Sequence, residues 1–197
     1  MLTQPLSSKQ ISYIGLFTAL TVVFAIIPPI PVPFVPVPLT LQTLGVMLAG
    51  LVLGPRLALL AMALYVLLAA IGLPVLPGGR GGLSVFAGPT GGFLIGFIPG
   101  AWVAGWMAKR ANLLAHKSGS TLQRFSGNLT AAIAGGALIV YLIGVPWLAM
   151  VTGMELSKAI FAVAVFVPGD LVKAIIAAYV ATKLTQIMPQ SDDLPNR

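Results

Sequence analysis

The sequence predicts an all-α integral membrane protein, a bundle of about six transmembrane helices with both termini in the cytoplasm. Of its 197 residues, 58% are hydrophobic and only 8% are charged, whereas soluble domains carry roughly a quarter charged residues. Long apolar segments recur along the chain, and basic residues gather in alternate connections between them. So few charges cannot cover a surface in water, and lipid is therefore the solvent that this composition requires.

Six apolar segments are expected to cross the bilayer. They lie at about residues 11–27, 39–53, 57–73, 92–107, 129–151 and 168–187. A short apolar piece at 156–167 precedes the last of them, and Pro168 then marks a helix start because proline is favourable in a first helical turn. Residues 1–187 are expected to form one bundle, and the polar tail at 188–197 is expected to be disordered.

The connections differ in composition. Residues 28–38 contain six prolines, which predict a stiff extended loop rather than a helix. Gly54-Pro55-Arg56 predicts a tight turn between the second and third segments. A glycine-rich loop is expected at 74–92, and a polar, basic loop at 109–128.

The basic residues predict the orientation. With six crossings, eight of the 11 lysines and arginines fall on the side of the two termini, and the other side holds Arg80, Lys158 and Lys173. The positive-inside rule therefore places both termini in the cytoplasm and the proline and glycine loops outside. The same asymmetry accounts for the net charge of +7 without a nucleic-acid partner.

Asp170 and Lys173 are the first candidate site residues. Their spacing of three places both side chains on one face near the start of the sixth helix. A charge within a membrane helix costs about 2.5–3.5 kcal/mol on insertion scales, so it usually faces a cavity or a partner. The pair either neutralises itself as a structural element or grips a ligand, with Asp170 accepting and Lys173 donating hydrogen bonds.

The glycine-rich loop supplies further candidates. Arg80 stands within Gly-Gly-Arg-Gly-Gly and could pair with a carboxylate through two donors, or it could be an interfacial residue of a flexible connector. Gly88, Thr90 and Gly91 belong to a run in which the backbone could approach a ligand closely. Neither run matches the phosphate-binding loop of nucleotide hydrolases, and we expect no cofactor.

Gln42 stands at the outer end of the second segment, where it could serve a ligand or another helix. Small residues four apart also mark close helix contacts. They are Gly15 and Ala19 on the first segment, and Gly92, Gly96, Gly100 and Ala104 on the fourth. The second set predicts packing inside the bundle, whereas the first predicts either internal packing or an interface with another protein. The sequence contains no cysteine and no nucleophile with a neighbouring base, so we do not expect an enzyme.

Four ordered runs carry a resemblance to a known family. They are PVPLTLQTLGVMLAGLVLGPR at 36–56, GLPVLPGGRGG at 72–82, GPTGGFLIGF at 88–97 and PGDLVKA at 168–174. These runs resemble the BioY family, the substrate-capture subunits of energy-coupling factor (ECF) importers. The likeness extends over about residues 11–183.

The resemblance implies biotin as the ligand, a six-helix bundle with a pocket near its outer face, and as partners a transmembrane coupling subunit and two ATPases. It places Asp170 and Lys173 in the pocket, which the glycine-rich loops and the loop after the first helix help to close. It also assigns Gly15 and Ala19 to the contact with the coupling subunit. The alternatives are a capture subunit for another vitamin, such as thiamin or riboflavin, and a self-sufficient secondary transporter.

Overall fold

The structure, a computed structural model, describes residues 5–33, 35–118 and 120–187. Almost all secondary structure in these ranges is helical. The helices are α1 (Ser8–Ile26), α2 (Gln42–Ala70), α3 (Gly91–Ser118), α4 (Thr121–Ile133), α5 (Val140–Thr152), α6 (Leu156–Ala164) and α7 (Val167–Ile187). A π-helical segment, Ala134–Ile139, joins α4 to α5 without a break. The predicted tail at 188–197 lies outside the described residues.

Helix α2 is a hairpin of two helical segments. Gly54 has φ 75° and ψ 175°, a conformation open to glycine but strained for other residues, and Pro55 begins the second segment. The Gln42 side chain donates a hydrogen bond to the Tyr65 hydroxyl at 2.5 Å. In a continuous helix, 23 residues would hold these two about 35 Å apart. The chain therefore reverses at Gly54, which confirms the predicted turn.

The described residues contain up to five candidate membrane spans, one of which, α2, reverses at Gly54 into two arms. By length and composition α1, α2, α3 and the continuous helix Thr121–Thr152 could each cross a bilayer, and α6 with α7 forms a fifth span bent by 52°. The bend falls at residues 165–166, just before Pro168, close to the predicted position. Many large apolar side chains on the outside of the bundle remain exposed, as expected of a surface that faces lipid.

The basic stretch at 109–128 is mostly helical, and its prediction as a loop was wrong. Helix α3 continues to Ser118, and α4 begins at Thr121 with the Ser120 side chain accepting a hydrogen bond from the Gln123 amide at 3.3 Å. Alanine, lysine, arginine and leucine are strong helix formers in water as well as in lipid. Loss of hydropathy therefore marks where the helices leave the apolar layer, not where they end.

The small residues of α3 pack against the π segment and α5, as predicted for the interior of the bundle. A Cβ added at Gly96 would lie 3.1 Å from the Val140 Cα, and one at Gly100 would lie 2.6 Å from the Gly135 carbonyl. We call Gly92, Gly96, Gly100 and Ala104 the α3 seam. Gly15 and Ala19, the α1 seam, are instead exposed, and a Cβ added at Gly15 would have no other atom within 4 Å.

The proline loop and the glycine loop fold back over one end of the bundle. Ile30 and Leu39 exchange two backbone hydrogen bonds of 2.9 Å, which closes the proline loop into a non-helical arm. The glycine loop makes a tight turn in which the Leu76 amide bonds the Arg80 carbonyl at 3.1 Å. This turn needs glycine, because Gly78 and Gly79 have φ values of 74° and 68°. Both loops therefore end close to the starts of α2, α3 and α7.

Candidate functional site

A cleft opens where these two loops meet the starts of α2, α3 and α7. It includes about 660 Å³ of empty space, counting the solvent at its open mouth. Its apolar walls are formed by Val37, Pro38, Leu39, Leu76, Pro77, Phe93, Leu94, Phe97, Val140 and Phe166. Its polar side chains are Thr40, Gln42, Thr43, Arg80, Thr90, Tyr141, Asp170 and Lys173. The unusual segments of the sequence thus converge on one site.

Asp170 and Lys173 form a buried ion pair in the cleft wall, with the Lys173 Nζ 2.8 Å from the Asp170 Oδ1. Their spacing on the first turns of α7 makes this contact possible, as the sequence predicts. Lys173 also donates to the Thr40 carbonyl at 2.6 Å and to the Thr43 hydroxyl at 3.0 Å. Its three ammonium protons therefore have protein partners, which offsets part of the cost of burying the charge.

The Asp170 carboxylate is held by donors from three helices. Its Oδ1 accepts from Lys173 and, at 2.8 Å, from the Thr43 hydroxyl, and its Oδ2 accepts from the Tyr141 hydroxyl. Each carboxylate oxygen can accept about two hydrogen bonds. Oδ1 is thus saturated, whereas Oδ2 can accept one more from a molecule in the cleft.

Gln42 lines the cleft and also makes the interhelix bond that the sequence left as an alternative. Its side-chain oxygen accepts from the Thr40 hydroxyl at 3.1 Å, and its nitrogen donates to Tyr65. Tyr65 is fully buried and in turn donates to the Val75 carbonyl at 3.1 Å. This chain of bonds ties both arms of α2 to the beginning of the glycine loop.

Arg80 lies exposed at the cleft, and its Nε donates to the Pro77 carbonyl at 3.1 Å. No carboxylate among the described residues pairs with it. A guanidinium in this position offers free donors to an anionic group that enters the cleft. The structure therefore separates the two cations, with Lys173 buried in the wall and Arg80 in contact with water.

Of the other candidates, Thr90 lines the cleft, whereas Gly88 and Gly91 do not. The Gly88 carbonyl accepts a hydrogen bond of 3.0 Å from the Trp147 indole. A Cβ at Gly91 would overlap the Phe86 carbonyl. These two glycines hold the glycine loop against α5 and against itself, so their contribution to the cleft is indirect.

Sequence reasoning missed Thr43, Tyr65 and Tyr141. Tyr141 is the only tyrosine in the fifth apolar segment, and a hydroxyl in such surroundings needs a partner, which was an available signal. Tyr65 carried the same signal, because it is the only tyrosine in the third apolar segment. Thr43 carried no comparable signal, because its partner Asp170 lies on a segment distant in sequence. Among the described residues, no cluster of His, Asp or Glu side chains could hold a metal ion.

The fold and the cleft together define a multi-spanning membrane protein with a small-molecule site at one end. The sequence matches the model of the BioY family over residues 1–190. It is 46% identical to the biotin transporter BioY of Rhizobium etli, with 88% of this chain and 91% of the relative covered. It is 42% identical to the probable biotin transporter BioY of Bacillus subtilis, with 92% and 93% covered.

A solved structure is also similar. The S-component for biotin from an ECF-type ABC transporter superposes with a TM-score of 0.80 at 32% identity, covering 92% of this chain and 95% of that one. This chain belongs to the BioY family. It is a multi-pass protein of the cell membrane with the helical fold of an S-component.

Proposed function

We propose that this chain captures biotin and delivers it into the cell as the substrate-specific subunit of an ECF-type importer. The observation that carries the proposal is the buried Asp170–Lys173 pair in the wall of an apolar cleft. Relatives that this chain matches over most of its length are named biotin transporters. Biotin carries ureido N–H donors, an apolar thioether ring and a carboxylate tail, which are complementary to the groups lining this cleft.

In this proposal the two ends of biotin meet different polar groups. A ureido N–H donates to the Asp170 Oδ2, which can accept one further hydrogen bond. The carboxylate tail pairs with Arg80, because the three protons of the Lys173 ammonium already have protein partners. The thioether ring lies between them, against the phenylalanine walls of the cleft. The function requires no catalytic group.

The primary test is calorimetry on the purified chain with biotin, thiamin and riboflavin in turn. Of the three vitamins, only biotin is expected to bind. Binding of thiamin or riboflavin without biotin would assign the cleft to another vitamin. Uptake by the chain reconstituted alone, driven by an ion gradient, would assign it to a secondary transporter.

Asp170→Asn is expected to weaken biotin binding by at least about tenfold. The amide NH₂ that replaces Oδ2 would face a ureido N–H, and an unpaired buried polar group costs about 1–3 kcal/mol. The substitution also leaves Lys173 without its counter-charge. The double variant Asp170→Asn with Lys173→Met removes both charges, so it should fold and still fail to bind. Parent-like affinity in a folded Asp170→Asn protein would remove Asp170 from the site.

Arg80→Gln tests the other end of the ligand. The parent is expected to bind biotin at least about fivefold more tightly than biotinamide, because the amide lacks the charge that Arg80 would pair with. In Arg80→Gln the two ligands should bind equally, since only the charged pairing is lost. If the variant still prefers biotin by the parental ratio, the carboxylate is bound elsewhere and Arg80 serves another purpose.

We further propose that both termini lie in the cytoplasm, so that the cleft opens outwards. With six crossings, eight of the 11 basic residues are expected on the side of the termini. Because the chain has no cysteine, single cysteines at Val35 and Ser118 can report the orientation. An impermeant thiol reagent on whole cells should label Val35→Cys and spare Ser118→Cys. The reverse labelling pattern would mean that the cleft opens to the cytoplasm.

The partners we propose are a transmembrane coupling subunit and two ATPases, which would convert capture into uptake. This chain contains no phosphate-binding loop of the nucleotide-hydrolase type. The exposed α1 seam is the surface we assign to the coupling subunit, because small residues allow another helix to approach closely.

A further inference from the structure

Three helices carry a cation over an aromatic ring at the end of the bundle opposite the cleft, which we call the far rim. The Lys9 Nζ lies 5.9 Å from the Tyr13 ring centre at the start of α1. The Lys183 Nζ lies 5.9 Å from the Tyr179 ring centre near the end of α7. On α3 the contact is closer, because the Arg110 guanidinium carbon lies only 3.9 Å from the Trp106 ring centre.

The far rim is rich in basic side chains. Its described basic side chains are Lys9, Arg56, Lys109, Arg110, Arg124 and Lys183. The two described acidic residues lie elsewhere: Asp170 is in the cleft wall and Glu155 precedes α6 at the cleft end. A surface with several cations and no described carboxylate is complementary to an anionic partner.

The Arg110 side chain is arranged to bind one anionic group in particular. Trp106 and Trp102 stack at 6.5 Å along the outward face of α3 and are 41% and 43% exposed. With one face of its guanidinium over Trp106, Arg110 keeps the N–H donors along its edges free, and this planar fork matches a phosphate. Tryptophan itself favours the membrane–water interface, where headgroup phosphates lie.

We propose that Arg110 and Trp106 form a binding site for the phosphate of an anionic phospholipid. The guanidinium contacts the headgroup, and Trp102 and Trp106 pack beside the upper part of an acyl chain. The Lys–Tyr pairs on α1 and α7 are looser, and their ammonium groups lack the planar fork, so they attract the same lipids without holding one in place.

Native mass spectrometry of the full-length protein tests this site. The protein is purified in a neutral detergent and mixed with equal amounts of dioleoylphosphatidylglycerol and dioleoylphosphatidylcholine. The parent should retain the anionic lipid preferentially, and added salt should reduce the preference. Arg110→Gln should lower retention of phosphatidylglycerol by about fivefold, the effect of one basic residue at an anionic membrane surface. Trp106→Leu should lower retention of phosphatidylglycerol less than Arg110→Gln does.

Two further variants separate a specific site from general charge. Lys183→Gln removes the same charge from another cation–aromatic pair on the far rim and should lower retention by less than twofold. Arg110→Lys keeps the charge but loses the planar fork. Its retention of phosphatidylglycerol should lie between the values for the parent and for Arg110→Gln. Equal losses from Arg110→Gln and Lys183→Gln would overturn the site. Equal retention of the two lipids by the parent would also overturn it.

Discussion

Two small-residue seams with the same four-residue spacing have opposite surroundings in this bundle. Along the α3 seam, backbone meets backbone, and a Cβ at Gly100 would lie 2.6 Å from the Gly135 carbonyl. Along the α1 seam, Gly15 and Ala19 are exposed, and a Cβ at Gly15 would meet nothing within 4 Å. Helix α1 packs on α2 through a different set of buried residues, Ile14, Thr18, Thr21 and Ala25.

The difference shows that this spacing predicts a close helix contact but not the identity of the other helix. The α3 seam is matched from within the chain, because the facing π segment also places a glycine, Gly135, at the contact. The α1 seam has no such counterpart among the described residues. Its small side chains leave a smooth face on which a helix of another subunit could pack closely.

The largest expected effect comes from filling the α1 seam. Ala19→Leu or Gly15→Leu should abolish biotin uptake in cells that supply the proposed coupling subunit and ATPases. Added bulk would keep the partner helix at a distance, while the cleft at the end of the bundle stays unchanged. The measurements are uptake of labelled biotin by cells and calorimetry on the purified variant.

Ala164→Leu provides the matched control, because it makes the same change at an exposed position on α6. It should leave both uptake and binding close to the parent. If the α1 variants lose binding as severely as uptake, the α1 face supports the cleft rather than a partner. If they keep full uptake, the α1 seam is not an interface.

The α3 seam should respond to a smaller change and through stability. Gly100→Ala places a methyl group against the Gly135 carbonyl, where backbone must move. Overpacking of this kind typically costs about 1–3 kcal/mol. The variant should therefore lose its fold at a lower temperature in detergent, measured by the midpoint of thermal aggregation.

Gly15→Ala is the corresponding substitution in open surroundings. It should leave the thermal midpoint unchanged or slightly higher, because alanine is the better helix former by about 1 kcal/mol in water. Equal midpoints for the two variants would mean that the α3 seam can relax at little cost and is not packed as tightly as the distances indicate.

Much of the fold could be predicted because its signals are local. The turn at Gly54 follows from Gly-Pro, and the non-helical arm at 28–38 follows from its prolines. Hydropathy could not predict the polar ends of α3 and α4, because basic and polar residues also form helices outside the apolar layer. The reversal of α2 was predictable. The hydrogen bond between Gln42 and Tyr65 that joins its two arms was not, because no short-range pattern connects residues 23 apart.

The residues of the site likewise divide into those that the sequence could predict and those that it could not. Asp170 and Lys173 could be identified because buried charges in lipid are costly and the two are three residues apart. Thr43, which is 127 residues from Asp170 in sequence, could not be identified because only tertiary packing brings the two together. Sequence patterns thus locate ionic groups in a membrane helix more readily than the neutral donors that orient them.

The smallest expected effect lies where the α3 seam reaches the cleft. A Cβ at Gly92, the first residue of the seam, would overlap the Trp147 Cβ. The indole of Trp147 donates a hydrogen bond of 3.0 Å to the Gly88 carbonyl in the glycine loop. The packed seam therefore fixes the tryptophan that anchors one wall of the cleft, although neither Trp147 nor Gly88 lines it.

Trp147→Phe removes this hydrogen bond while keeping an aromatic ring on α5. A neutral hydrogen bond contributes about 0.5–1.5 kcal/mol, and only part of it should reach the ligand, because the loop has other backbone bonds. Biotin affinity should therefore fall by about twofold to fivefold in calorimetry, with the thermal midpoint nearly unchanged.

Trp102→Phe, on the outward face of α3, is the control and should leave affinity at the parental value. Unchanged affinity in Trp147→Phe would show that the glycine loop holds its position without the seam. A loss as large as that of Asp170→Asn would place Trp147 in direct contact with the ligand.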